Sequence, residues 1–154
     1  MTEAVNVRLA HAGDAEAIRA LAHEAYAKWV EIIGREPLPM QVDYAEALRK
    51  HRFDLLYVGD RLAALIETVR EGDHLLIENV AVHPDYQGRG YGRRLLDLVE
   101  MHAAAAKLDC LRLYTNKLFA ANLRLYEARG YHVEREEDFK GGVVVHMMKL
   151  LGVR

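Results

Sequence analysis

The chain has 154 residues, 21 of them Lys or Arg and 23 Asp or Glu, for a formal net charge of −2. That length suits one domain able to bury most of its unfolded surface, and the near-balanced charge leaves no electrostatic footprint for nucleic acid or an anionic membrane. No apolar run approaches the ~20 residues that span a bilayer, the opening MTEAVNVRLA shows no signal peptide, and a lone cysteine, Cys110, excludes an internal disulfide and suits a reducing cytosol.

Residues 5–9 (VNVRL) alternate and predict a short strand. Gly13-Asp14 offers a helix start with Asp14 as N-cap. Ile18, Leu21, Ala22, Ala25 and Trp29 then recur at i, i+3, i+4, i+7 and i+11, one apolar face of a helix that stops near Gly34. Residues 34–40 carry Pro37 and Pro39 and can be neither regular helix nor inner strand. A second helix is expected over 43–51. Strand signals over 55–58, 62–69 and 75–82, joined by Gly59-Asp60 and Glu71-Gly72-Asp73, read as an antiparallel meander. A helix from Arg93 to about Lys107 and a strand over 111–114 follow. A further helix over about 118–129 has Asn116 as N-cap and Gly130 just past its end, and strands over 131–134 and 143–150 close the chain. The order β-α-α-β-β-β-α-β-α-β-β predicts a single domain over 1–154 of the α/β (α+β) class. Its natural closure is a mixed central sheet of about seven strands with helices on both faces.

The stretch IENVAVHPDYQGRGYGRRLL, residues 77–96, organises the rest. An apolar strand runs into His83-Pro84, where proline cannot continue a ladder. Glycines follow at 88, 90 and 92, and then an unbroken helical segment. Strand, glycine turn and helix together aim free backbone N–H groups at an anion, because the first helical turn leaves four donors unpaired and glycine removes the Cβ from their approach. The stretch therefore reads as a pyrophosphate cradle. A dinucleotide fingerprint from Gly88 would need glycine at Arg93, and a P-loop would need Gly-Lys-Ser/Thr where Gly92-Arg93-Arg94 stands. The spacing that fits is Gln87-x-x-Gly90-x-Gly92.

At these residues the chain resembles the GNAT superfamily of acetyl-CoA-dependent N-acetyltransferases, whose coenzyme motif is Q/R-x-x-G-x-G/A. A second stretch supports the resemblance: Asn122, Tyr126 four residues on, and then Gly130-Tyr131. The family has the same order of elements, with a mostly antiparallel sheet, so the likeness covers essentially the whole chain. It implies acetyl-CoA as cosubstrate, held by Val80, Ala81 and Val82 on the strand, by Gln87, Gly88, Arg89, Gly90, Tyr91, Gly92 and Arg93 in the cradle, and by Asn122 and Tyr126. Tyr126 would stand beside the sulfur. The implied activity is direct transfer of acetyl to a primary amine in a ternary complex. A non-catalytic acyl-CoA sensor and a nucleotide-binding protein with a variant phosphate loop stay open as alternatives.

The chemistry sets the requirements. An aliphatic amine with a pKa near 10.4 must lose a proton before attack, at a cost of about 4–5 kcal/mol at pH 7. An oxyanion then forms, which a backbone N–H stabilises by ~3–4 kcal/mol; the family places such a donor near Val80 to Val82. Glu78, a carboxylate in an apolar strand, is costly unless used or paired. It is the candidate base, with pairing to an arginine as its structural alternative. Some family members carry a catalytic Glu on this strand, although Glu78 lies nearer the cradle than in the histone-acetylating branch. His74 and His83 flank the strand and could act through water. The histidines have no H-E-x-x-H spacing and no second cysteine is present, so no metal is expected.

In the family the first two helices and their connection cover the acceptor. Tyr26, off the apolar stripe, and Arg35 and Met40 in the two-proline segment are the acceptor-side candidates, while Trp29 reads as core. Arg35 could grip a substrate carboxylate bidentately or be a solvated charge. The partner is then a small-molecule or peptide amine. Dimerisation through the terminal strands is common in the family and is not legible here.

Overall fold

The structure is a computed structural model, and it describes residues 3–152. One seven-stranded sheet has the order β1-β2-β3-β4-β5-β7-β6. Its strands are β1 (Val5–Leu9), β2 (Arg52–Val58), β3 (Arg61–Glu71), β4 (His74–Val82), β5 (Cys110–Asn116), β6 (His132–Phe139) and β7 (Gly142–Leu150). The helices are α1 (Ala15–Tyr26), α2 (Trp29–Ile33), α3 (Tyr44–Lys50), α4 (Tyr91–Ala105) and α5 (Ala120–Ala128). The pairs β1–β2, β2–β3, β5–β7 and β6–β7 are antiparallel, with β2–β3 and β6–β7 each carrying a register shift, and β4–β5 is parallel. The chain condenses into two compact units, Met1–Val69 with Asn79–Val99, and Arg70–Glu78 with Glu100–Arg154.

In the first unit the expected α1 face is core: Ile18, Leu21, Ala22 and Ala25 are all buried. Trp29 departs from expectation. The helix breaks at Ala27-Lys28 and α2 restarts at Trp29, which is only half-buried. Gly34 ends α2 as expected, at φ +79° with its N–H on the Val30 carbonyl. Asp14 does not cap α1 with its side chain. Its carboxylate instead takes Arg8 at 2.9 Å through each oxygen and the His11 N–H at 2.8 Å, closing a 3₁₀ turn over Ala12–Asp14. The Asp43 side chain does cap α3, accepting from Glu46 N. β2 and β3 are rich in buried residues, Phe53, Leu55, Leu56, Ala63, Ala64, Leu65 and Ile66 among them.

In the second unit the parallel ladder runs from Leu75↔Leu111 to Ile77↔Leu113, and β5 continues along β7 as far as Asn116↔Val144. β6 extends to Phe139, well beyond the four residues expected from sequence. All but its last residue are exposed, so HVEREEDF has no buried face to impose an apolar period. α5 starts at Ala120 because Asn116 is spent on the preceding turn, its side chain accepting from Leu118 N at 2.9 Å.

Candidate functional site

The cradle lies in the first unit. β4 ends at Val82, and a 3₁₀ turn over Pro84–Tyr86 follows, capped by the His83 ring, which accepts from Asp85 N at 3.0 Å. That bond makes His83 a turn-capping residue. Gln87 braces the loop to the strand: its amide nitrogen donates to the Val82 carbonyl at 3.1 Å, and Lys28 Nζ donates to its amide oxygen at 3.2 Å. Gly88 and Gly90 sit at φ +79° and +82°, a region that costs other L-residues about 1–2 kcal/mol. The Gly90 carbonyl accepts from Arg94 N at 3.0 Å, which starts α4 two residues earlier than the sequence suggests.

The first-turn N–H groups of α4, those of Tyr91, Gly92 and Arg93, therefore stand at the head of a 15-residue helix whose first turn holds no acidic residue. The dipole places roughly half a positive charge there. Arg89, Arg93 and Arg94 are exposed around it. The buried Tyr86 ring receives the Arg61 and Arg89 guanidiniums at 5.4 and 5.2 Å, which anchors the loop. A Cβ on Gly92 would lie 3.7 Å from Val82 Cγ2, an ordinary contact, so packing leaves room for alanine at that position. This donor set, backbone N–H groups and guanidiniums with no competing carboxylate in the helix turn, fits a pyrophosphate.

The second unit carries the other motif on α5. Asn122 and Tyr126 stand one turn apart, and neither side chain makes a hydrogen bond among the described residues. Tyr126 is 7% exposed and packs edge-on against Tyr131, with ring centroids 5.8 Å apart. Burial pushes its hydroxyl up to about 12, so at neutral pH it is a donor.

Glu78, the first residue of β4 past the parallel ladder, takes the Tyr114 hydroxyl at 2.8 Å, so a tyrosine stands where an arginine partner was the structural alternative. Tyr114 also lines a cavity of about 560 Å³ over the β4-β5-β7-β6 face, together with His74, Arg112, Glu134, Arg135 and His146. His74 is engaged there by Arg112, Asp73 and Glu71.

The acceptor-side candidates fare differently. Tyr26 is 9% exposed, and its hydroxyl is turned inward to Asn79 Oδ1 and the Val80 carbonyl, at 2.7 and 3.0 Å. It is an internal brace where a cleft-facing residue was expected. Arg35 and Met40 are half-buried, Met40 closing a 3₁₀ turn over Leu38–Met40. The sequence reading missed Asn79, Tyr44 and Tyr114. Asn79 had a usable signal: it is a lone amide in an apolar strand, the same anomaly that singled out Glu78. Among the described residues no group of three His, Cys, Asp or Glu side chains is placed to hold a metal ion, and no helix is long and apolar enough to cross a membrane.

Known proteins share this architecture. The fold matches the PaiA N-acetyltransferase of Thermoplasma acidophilum in complex with coenzyme A, with a TM-score of 0.82 at 17% identity over 96% of this chain and 99% of that one. It also matches the ribosomal-protein-S18-alanine N-acetyltransferase of Escherichia coli, with a TM-score of 0.81 at 20% identity over 98% and 96%. In sequence, the [ribosomal protein bS18]-alanine N-acetyltransferase of Salmonella typhimurium (strain LT2) is 35% identical over 77 residues, which are 50% of this chain and 52% of that protein. The chain thus matches about half the length of that curated relative. The model of the acetyltransferase (GNAT) family matches residues 16–131, a span that contains the cradle and both α5 motif residues. The chain belongs to the acetyltransferase (GNAT) family.

Proposed function

We propose that the chain works as one N-acetyltransferase domain that moves acetyl from acetyl-CoA to a primary amine by direct attack in a ternary complex. The observation that carries this reading is the Gln87-x-x-Gly90-x-Gly92 turn, with two glycines in the left-handed region feeding the free N–H groups of α4. The N–H groups of residues 91–93 and the side chains of Arg89 and Arg93 hold the pyrophosphate, and the Asn122 amide binds the coenzyme farther along. Acetyl-CoA supplies the activated acyl group, a thioester. Backbone N–H groups of Val80 to Val82 stabilise the oxyanion formed on attack, a contribution of ~3–4 kcal/mol per donor.

Glu78 takes the ammonium proton, directly or through water, against a cost of about 4–5 kcal/mol for an amine at neutral pH. Its bond from Tyr114 orients the carboxylate and leaves the second oxygen for that role. Tyr126 donates a hydrogen bond to the departing thiolate. With its hydroxyl near 12 and a free thiol near 8.5, complete proton transfer is uphill by roughly 5 kcal/mol, whereas hydrogen-bond donation is not. Cys110 opens β5, and burial pushes its thiol up, which suits a structural residue of a reducing compartment better than an acyl relay.

The acceptor is a small or peptide amine. The half-chain likeness to a ribosomal-protein alanine N-acetyltransferase makes the α-amine of a peptide beginning with alanine the first acceptor to try. The test is a thermal melt with acetyl-CoA, with ATP and NAD as controls. A ligand at a hundred times its dissociation constant stabilises by about 2.7 kcal/mol, which moves the midpoint by several degrees. A shift with acetyl-CoA alone is expected, followed by thiol release in a panel of amines that includes that peptide. No shift, or one with ATP or NAD instead, would remove the assignment.

A further inference from the structure

Three buried side chains form a directed hydrogen-bond chain inside the first unit. The Tyr26 hydroxyl stands 2.7 Å from Asn79 Oδ1 and 3.0 Å from the Val80 carbonyl oxygen. Asn79 Nδ2 donates to the Tyr44 hydroxyl at 3.2 Å, and that hydroxyl donates to the Pro39 carbonyl at 2.6 Å. Tyr44 and Asn79 are 2% and 5% exposed.

The directions follow from the inventory of donors. Carbonyl oxygens only accept, so Tyr44 must spend its single proton on Pro39 and can only accept from Asn79. Turning the Asn79 amide over would present its oxygen to Tyr44 and demand that same proton, leaving the Pro39 carbonyl without a donor. Tyr26 has one proton as well, shared between Asn79 Oδ1 at 2.7 Å and the Val80 carbonyl at 3.0 Å, so the observed orientation of Asn79 serves Pro39 in full and divides the Tyr26 proton between the other two acceptors. Burial and the Glu67 carboxylate push the Tyr44 hydroxyl well above the usual phenol range, so it remains a donor at any physiological pH.

An apolar replacement of such a chain is often nearly neutral for stability, so stability by itself does not explain it. What the chain adds is placement. It ties together two backbone points that no ladder joins: Pro39 in the two-proline segment, and Val80 on the strand that enters the cradle. Holding the Val80 carbonyl also fixes the plane of the whole peptide linking it to Ala81, because that unit is rigid. We infer that Tyr26, Asn79 and Tyr44 are positioning residues for acetyl transfer, locking the acceptor-side segment around Pro39 to the end of β4 at Val80. This rests on the acetyltransferase reading above. It assigns Tyr44 to acceptor binding and Tyr26 to the geometry of the strand that meets the thioester.

The inference is tested with Tyr44→Phe and Tyr26→Phe in the full chain. Each variant removes one hydroxyl and keeps its ring, that of Tyr44 packing edge-on to Phe53 with centroids 6.0 Å apart. In Tyr44→Phe, the amides of Met40 and Gln41, which close the 3₁₀ turn on Pro37 and Leu38, should exchange hydrogen about five- to tenfold faster, the factor carried by one hydrogen bond. The KM of the amine that turns over in the panel should rise by a similar factor, with kcat and the acetyl-CoA-induced melting shift unchanged. Tyr26→Phe should instead lower kcat about tenfold and leave the exchange of Met40 and Gln41 nearer to that of the parent. If both variants only lower the melting midpoint, with KM and kcat unmoved, the triad is structural and the inference is overturned. A parent protein that does not shift with acetyl-CoA would instead overturn the activity, and the inference with it.

Discussion

The two compact units use polar groups in opposite ways. In the first, the distinctive polar feature is buried and largely neutral: Tyr26, Asn79 and Tyr44 satisfy one another and two backbone carbonyls. In the second, the polar face of the sheet is half-exposed and charged. Arg112 grips both oxygens of Glu134 at 3.1 and 3.2 Å, and His146 meets Glu137 at 2.8 Å. The difference teaches where geometry is fixed and where it stays adjustable. A buried donor left without a partner carries its full desolvation cost, so the neutral chain resists rearrangement. An exposed ion pair is worth about 0–1 kcal/mol and is screened by salt, so the charged face can exchange partners.

The largest expected effect lies in the second unit at Tyr126, a buried residue whose side chain makes no hydrogen bond among the described residues. Tyr126→Phe should lower turnover by roughly one to three orders of magnitude while the acetyl-CoA-induced melting shift persists; unchanged turnover would take Tyr126 out of the mechanism. Next, Tyr26→Phe takes a donor from Asn79 and Val80 and should cost about 1–3 kcal/mol in urea unfolding. The loss should be the same in low and high salt, and a salt-dependent loss would break the contrast drawn above.

The cradle is tested by a pair of glycines. Gly90→Ala meets both a positive φ and the Arg93 guanidinium 3.3 Å away, and should weaken acetyl-CoA binding by more than about tenfold in titration calorimetry. Gly92→Ala, with only an ordinary contact to Val82, should cost less than about threefold.

The first unit also buries charge, at Asp14, Asp54 and Glu67, each held by a basic partner. Asp14 is 6% exposed, and the Arg8 guanidinium holds its carboxyl down from 3.8 to about 2. A depressed folded-state pKa gives stability that is fully present above the unfolded value and is lost as pH falls through the folded one. The stability deficit of Asp14→Asn should therefore be constant near neutrality, shrink between pH 3.8 and about 2, and vanish below that. Acid titration of both proteins followed by circular dichroism checks it. The smallest effect belongs to Arg112→Gln, under about 1 kcal/mol and reduced further in 1 M salt.

Much of the fold was legible in the residues, and for local reasons. The α1 stripe was readable from its period, and Ile18, Leu21, Ala22 and Ala25 are buried. Trp29 was misread as core because periodicity does not register the break at Ala27-Lys28. Most of β6 was invisible because an exposed, charged edge strand has no apolar alternation to display. Asp14 and Asn116 have the composition of caps, yet each spends its side chain on a neighbouring turn.

The site divides along the same line. The cradle was determined by the sequence alone, since three glycines, a proline and a helix-forming run set the backbone conformation of contiguous residues, and that conformation presents the N–H groups. Partners distant in sequence were decided only by tertiary structure. Tyr26 finds Asn79 across 53 positions and Tyr114 finds Glu78 across 36. Whether a lone polar residue in an apolar strand is braced or free to react depends on which side chain the fold brings against it, and spacing along the chain carries no record of that.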